Sequence, residues 1–333
     1  MLKRILLASI GLGAMTSCQS VGQTPPKKLI PVVYSSKSTI NLFGLERMHP
    51  FDIKKYDKIH KGLKTGGFTT EESSHAPEQL TREDLLLVHS EQYLENLKDK
   101  QLVASYLEAP VIAKIPGINI EKNVVQPFIT ASGGTLAAAR LAMKHGAAIN
   151  LGGGYHHAMP DRGEGFCIIA DVPITIRKLQ KEGVIKRALV IDTDIHQGNG
   201  TNVCLQDDPT TYTFSMHEMD IYPWPKPEGN LDLLIQKGVT DAEFNTSLER
   251  MLPRVFIESK PDIVFHVAGC DSLAGDPLAN GKMSSAGIAA RDLLVYQYCQ
   301  KRNIPYVMTL AGGYSKNAWK AQMDSIKGLM NAE

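Results

Sequence analysis

The chain predicts an α/β fold: a single domain with a mostly parallel central sheet flanked by helices. Three observations lead there. Short apolar runs recur along the sequence, each ending in glycines or polar residues. Stretches with helical spacing separate those runs, and strands joined through helices pair in parallel with both faces covered. Finally, 43% of the 333 residues are hydrophobic, enough for one large core.

The elements follow in order. The opening "MLKRILLASIGLGAMTSC" places Lys3 and Arg4 before an apolar run from Ile5 to Met15. This predicts a signal peptide over residues 1–17, too short for an ordinary transmembrane span. Cys18, after Thr16 and Ser17, resembles the acylated cysteine of a bacterial lipobox, although Met15 stands where leucine is commoner. A non-lipidated secretory signal is the alternative. Residues 18–29 are polar with a Pro pair and read as a tether, leaving 30–333 as the folded domain. Gln19 after Cys18 fits the outer-membrane sorting pattern, so the expected location is the bacterial cell envelope, with a lipid anchor on Cys18 as the membrane contact.

Beyond the tether, "LIPVVYS" reads as a strand. "EQYLENLKD" and "GGTLAAARLAMKHG" read as helices, the second closed by Gly146. "AAINLGGG", "RALVIDTDIH", "PDIVFHVAGCD" and "PYVMTLAGGY" are the core strands, and "SLERMLPRVFIES" and "AGIAARDLLVYQYCQKRN" are helices between them. Net charge is +1 and basic residues form no run, so nucleic acid is excluded as an expected partner. Cys167, Cys204, Cys270 and Cys299 are scattered without a CxxC pair and read as small packing residues, with a disulfide left open.

In parallel sheets, sites form beyond the carboxyl ends of strands. Four runs here end in "GGGYHH", "DTDIHQGNG", "GCDSLAGD" and "GGYSKN". If those strands are neighbours, their ends share one crevice. Within "DTDIH", Asp192, Asp194 and His196 alternate, so their side chains point one way from an extended segment. A carboxylate and an imidazole two apart can grip one ion, and Asp271 is a third candidate ligand from another strand end. Oxygen and nitrogen donors suit Zn²⁺ or another borderline divalent ion and leave an open position. The competing reading is a polar strand end solvated by water. His156 and His157 follow a glycine turn and could act as base and electrostatic partner. "GGGYHH" lacks the P-loop lysine and the Rossmann spacing, which excludes nucleotide binding there. Tyr314, set among glycines, could donate to an oxyanion.

The set "GGGYHHAMPDRGEGFC", "DTDIHQGNG", "GCDSLAGDPL" and "AGGY", in this order, resembles the histone deacetylase family. "VVYSSKSTINLFGLERMHPFDIKKY" and "HQGNG" are similar to its class IV branch and to bacterial deacetylase-like hydrolases. The resemblance implies an arginase/deacetylase-like fold and a Zn²⁺ ion on Asp194, His196 and Asp271, with Fe²⁺ as the alternative metal. It implies His156 and His157 as the catalytic pair and Tyr314 as the hydroxyl that polarises the carbonyl. Asp192 would orient His156. A structural K⁺ would lie near Asp192, Asp194, His196, Ser215 and Met216. Gly165 and Phe166 would form one wall of the acyl channel and Tyr222 the other. Asn199 stands where the commoner pattern has a carboxylate behind the second histidine, a departure shared by the class IV branch.

The implied reaction is hydrolysis of a linear amide, with no G-x-S-x-G nucleophile motif in the chain. The expected substrate is acyl-lysine in proteins or peptides, acetyl or longer. A small N-acyl amine such as an acetylpolyamine is the alternative, for which Glu218, Asp220 and Glu228 would be mouth residues. A non-catalytic lipoprotein that binds acylated ligands is the third reading, and it predicts a missing ligand or tyrosine.

Overall fold

The computed structural model describes residues 29–332. The expected signal peptide, most of the tether and Cys18 lie outside the described residues.

Among the described residues, eight strands form one sheet in which every ladder is parallel. They are β1 (Val32–Val33), β2 (Ser74–His75), β3 (Ala147–Asn150), β4 (Ala188–Asp192), β5 (Thr211–Glu218), β6 (Leu231–Ile235), β7 (Ile263–Val267) and β8 (Tyr306–Thr309). Their spatial order is β2-β1-β3-β8-β7-β4-β5-β6. The four runs that end in reactive residues are therefore adjacent, as β3-β8-β7-β4 at the centre of the sheet.

Strand alternation divides the core into two layers. Ala188 and Val190 of β4 join one apolar cluster; Leu189 and Ile191 join the other. Phe265 and Val264 of β7 divide in the same way. The first layer is covered by the helices Gln126–His145 and Asp171–Lys181, which contribute Leu136, Ala138, Ile174 and Ile176. The second is covered by Lys55–Thr65, Asp241–Ser259, Ser285–Gln300 and Ala318–Asn331, through residues such as Ile59, Phe244, Ile288 and Ile326.

The long helix Gln126–His145 stops where the sequence indicates. Gly146 takes φ +86°, and its N–H donates to the Ala142 carbonyl. Cys167, Cys270 and Cys299 are buried and Cys204 is half-buried, and all four are free thiols. Among the described residues no helix is long and apolar enough to cross a membrane.

Candidate metal and acyl-hydrolysis site

β4 delivers Asp192 at its last position, and the chain continues through Asp194 and His196 while still buried. β7 ends at Val267, and Asp271 follows. Asp194, His196 and Asp271 are all buried, and one ligand atom from each lies within 4.8 Å of the others. The His196 Nδ1 lies 2.9 Å from Asp271 Oδ2 and 3.2 Å from Asp194 Oδ1. Backbone N–H groups fix the other carboxylate oxygens: Ile195 donates to Asp271 Oδ1 at 2.9 Å and Gly312 to Asp194 Oδ2 at 3.0 Å.

The donor set fits a divalent cation, and two observations support the fit. A Cβ on Gly312 would stand 2.6 Å from both Asp194 Oδ2 and Asp271 Oδ2, so this glycine keeps the space beside the two carboxylates free. Burial and the neighbouring Asp194 push the Asp271 carboxyl upward. Burial alone would lower His196, yet Asp271 and Asp194 hold it well above the usual imidazole range. Two crowded buried carboxylates thus demand positive charge.

The imidazole pair follows β3. His156 Nδ1 lies 2.8 Å from Asp192 Oδ2, and His157 Nδ1 lies 2.7 Å from Asn199 Oδ1. The two environments push the rings apart. Burial works against charge on His156, but Asp192 and Asp194 raise it to about 9. Burial, with His156 and His196 nearby, drives His157 well below the usual range. One ring is thereby kept protonated and the other neutral.

Tyr314 follows β8 and is positioned from behind. Asp276 accepts its backbone N–H at 2.7 Å and that of Ser315 at 3.1 Å. Buried Lys55 donates to the carbonyls of Ala311 at 2.8 Å and Gly312 at 3.2 Å. Burial, then Asp194 and Asp271, raise the Tyr314 phenol well above its usual range, so its O–H remains a donor.

Phe166 and Tyr222 both pack against these side chains. The Phe166 ring lies 5.8 Å from that of Tyr314, and the Tyr222 ring lies 5.0 Å edge-on from His157. Gly165 and Phe166 both adopt positive φ, at 51° and 67°. A Cβ on Gly165 would meet His157 Cδ2 at 2.5 Å, so only glycine permits this approach. Beside Gly165 and Phe166 lies a cavity of about 280 Å³. It touches His156, His157 and Tyr314 and extends between apolar residues including Leu42, Ile53, Ile112 and Phe128.

The sequence matches the histone deacetylase domain over residues 49–329. The chain belongs to the histone deacetylase family. Within the family, it is similar to "Histone deacetylase 2" of Arabidopsis thaliana, with 38% identity over 91% of this chain and 79% of that protein. It is also similar to the "Acetoin utilization protein AcuC" of Staphylococcus aureus, with 30% identity over 86% of this chain and 77% of that one. A crystal structure of the HDA15 HD domain superposes with a TM-score of 0.74 over 91% of each chain, at 19% identity, a likeness of fold. The chain is a histone deacetylase-family hydrolase, and the structure brings Asp194, His196, Asp271, His156, His157 and Tyr314 close together at the ends of the central strands. Ser215 pairs with Asp192 across the β4–β5 ladder, next to Met216.

One expectation needs correction. Glu218 is no mouth residue: it ends β5 in the interior, 1% exposed, and accepts from Asn280 Nδ2 at 2.7 Å. Asp220 and Glu228 are exposed as expected. Four supporting residues escaped the sequence reading. Glu164 and Asp276 stand inside quoted motifs and offered that signal. Arg291, a charge in an otherwise apolar helical stretch, offered another. Lys55 also stands inside a quoted motif, but it meets the Ala311 carbonyl across 256 residues of sequence, so its role had no local signal.

Proposed function

We propose that this chain is a metal-dependent amidohydrolase that removes acyl groups, acetyl or longer, from acyl-lysine in proteins or peptides. The observation that carries this reading is that two oppositely tuned imidazoles and Tyr314 line one apolar cavity, with the carboxylate–histidine set packed beside them. Asp194, His196 and Asp271 would hold the ion, Zn²⁺ or Fe²⁺ by donor type. Such an ion would polarise the acyl carbonyl and acidify a water.

The chain's own residues supply the rest. Neutral His157 takes a proton from the attacking water at Nε2, because its Nδ1 faces Asn199. Tyr314 donates to the developing oxyanion. An imidazolium returns a proton to the leaving amine. Phe166 and Tyr222 flank the lysine stem, and the cavity accommodates the acyl group. Its apolar lining supports chains longer than acetyl. The N-terminal pattern supports action in the bacterial envelope from a lipid anchor on Cys18, and K⁺ near Asp192 and Ser215 completes the proposed ion set.

The test compares kcat/KM for an acetyl-lysine peptide, a long-chain acyl-lysine peptide and an acetylpolyamine, using metal-loaded protein lacking residues 1–18. Turnover of an acyl-lysine peptide, abolished by a chelator and restored by metal, is expected. Preference for the acetylpolyamine would move the substrate to small amines. Binding without turnover would leave an acyl-ligand receptor.

A further inference from the structure

The amide of Asn199 is symmetrical in shape but not in chemistry. One end accepts hydrogen bonds and the other donates. Its Oδ1 faces His157 Nδ1 at 2.7 Å, and its Nδ2 donates to Glu164 Oε1 at 2.9 Å. The Tyr222 hydroxyl donates to the same Glu164 oxygen at 2.8 Å, while Arg162 Nε donates to the other at 3.2 Å. Glu164 thus stands where three donors converge.

From this arrangement we infer that Glu164 is a positioning residue that sets the tautomer of His157 through Asn199. A carboxylate can only accept. It therefore compels Asn199 to turn its NH₂ outward and its carbonyl inward. That carbonyl can only accept, so His157 must carry its proton on Nδ1. The lone pair then lies on Nε2, the nitrogen on the far side of the ring from Asn199. With the amide reversed, Nδ2 would donate to Nδ1 and the proton would sit on Nε2, leaving no base. A buried carboxylate that contacted His157 directly would fix the same tautomer but would also place a charge on the ring. The Asn199–Glu164 pair separates the two effects: the amide transmits orientation and keeps the charge one residue away. The same carboxylate oxygen holds Tyr222 against His157, so base and channel wall are set together. The inference rests on the proposed role of His157 as base.

The experiment reads His157 in metal-loaded, ¹⁵N-histidine-labelled protein by long-range proton–nitrogen correlation near neutral pH, with kcat and KM measured in parallel. The wild type should show a protonated Nδ1 and an unprotonated Nε2. In Glu164→Ala, water can donate as well as accept, so the Nδ1–H form should lose its dominance. There kcat should fall by about tenfold or more, with less change in KM; a wrong histidine tautomer is costly in other hydrolases. Glu164→Gln can still offer a carbonyl oxygen to Asn199 and Tyr222 and should restore the tautomer and most of kcat. Tyr222→Phe leaves the Asn199–Glu164 bond in place and should keep the Nδ1–H signature. An Nε2–H tautomer in the wild type, or an unchanged tautomer in Glu164→Ala, overturns the inference. A tautomer that follows Glu164 in a protein without amide turnover would instead uphold it and overturn the proposed reaction.

Discussion

At Tyr314 the burial that raises the phenol's pKa also guarantees a hydroxyl donor across the physiological range. Tyr314→Phe removes that donor and little else. A fall in kcat of about 10²–10³ is expected, as for loss of one oxyanion donor, with an unchanged melting temperature as the control. Asn199 makes a different prediction. His157 is held low by burial and by its positive neighbours, so the ring stays neutral into the acid range, as the proposed base requires. In Asn199→Asp a carboxylate would stabilise the imidazolium and raise its pKa. The ring would then lose its proton only at higher pH, and the acidic limb of the pH–rate profile should move upward. An unmoved limb would show that the neutral partner does not tune this base.

Among the elements, the helix Ser285–Gln300 supports the site from behind. Fully buried Arg291 donates to the carbonyls of Thr193 at 3.0 Å and Gly269 at 2.6 Å, and its Nε donates to Asp292 at 2.8 Å. These carbonyls lie just past β4 and β7, beside the residues that would hold the metal. Arg291→Leu leaves Asp292 buried without its counter-charge, held by the Ser325 hydroxyl, and a loss of about 3–5 kcal/mol is expected, measurable by denaturant unfolding. This helix also shows what the sequence disclosed. Its existence and that of β3, β4, β7 and β8 were legible, because apolar runs ending in glycine or polar residues mark strands that emerge into a crevice. The ends of those runs supplied all three ligand candidates, both histidines and Tyr314. Its inward-facing arginine was not read, because a charge inside an apolar period looks like a solvated position until the packing is known. Glu218 failed for the converse reason: an acidic residue beside Met219 and Asp220 reads as exposed, while the ladder with β6 and the bond to Asn280 draw it inside. The two-residue strands β1 and β2 leave little periodic signal, and only the first was anticipated.

Across the whole molecule, acid sensitivity should follow buried histidines whose two nitrogens are already engaged. His89 Nδ1 faces the Met159 carbonyl at 3.0 Å, and its Nε2 accepts from the Ala170 N–H at 3.0 Å. Burial lowers its pKa from 6.5 to about 4. Between those values the unfolded chain binds the proton and the folded chain does not, so stability falls as pH falls through that window. The contribution is about 3 kcal/mol. Unfolding free energies measured at several pH values should show this slope, and His89→Gln should flatten it.

The bare Cα of Gly312 has a practical consequence. The position does not need a left-handed backbone, so Gly312→Ala acts by pressing a methyl group against two carboxylates at the inner edge of the cavity. If the proposed ion is held there, metal analysis of the purified variant should find it lost while Phe166 and Tyr222 keep their places. Such a protein would be a bait: able to clasp an acylated chain but unable to cut it, and so suited to capturing the natural substrate by its own affinity.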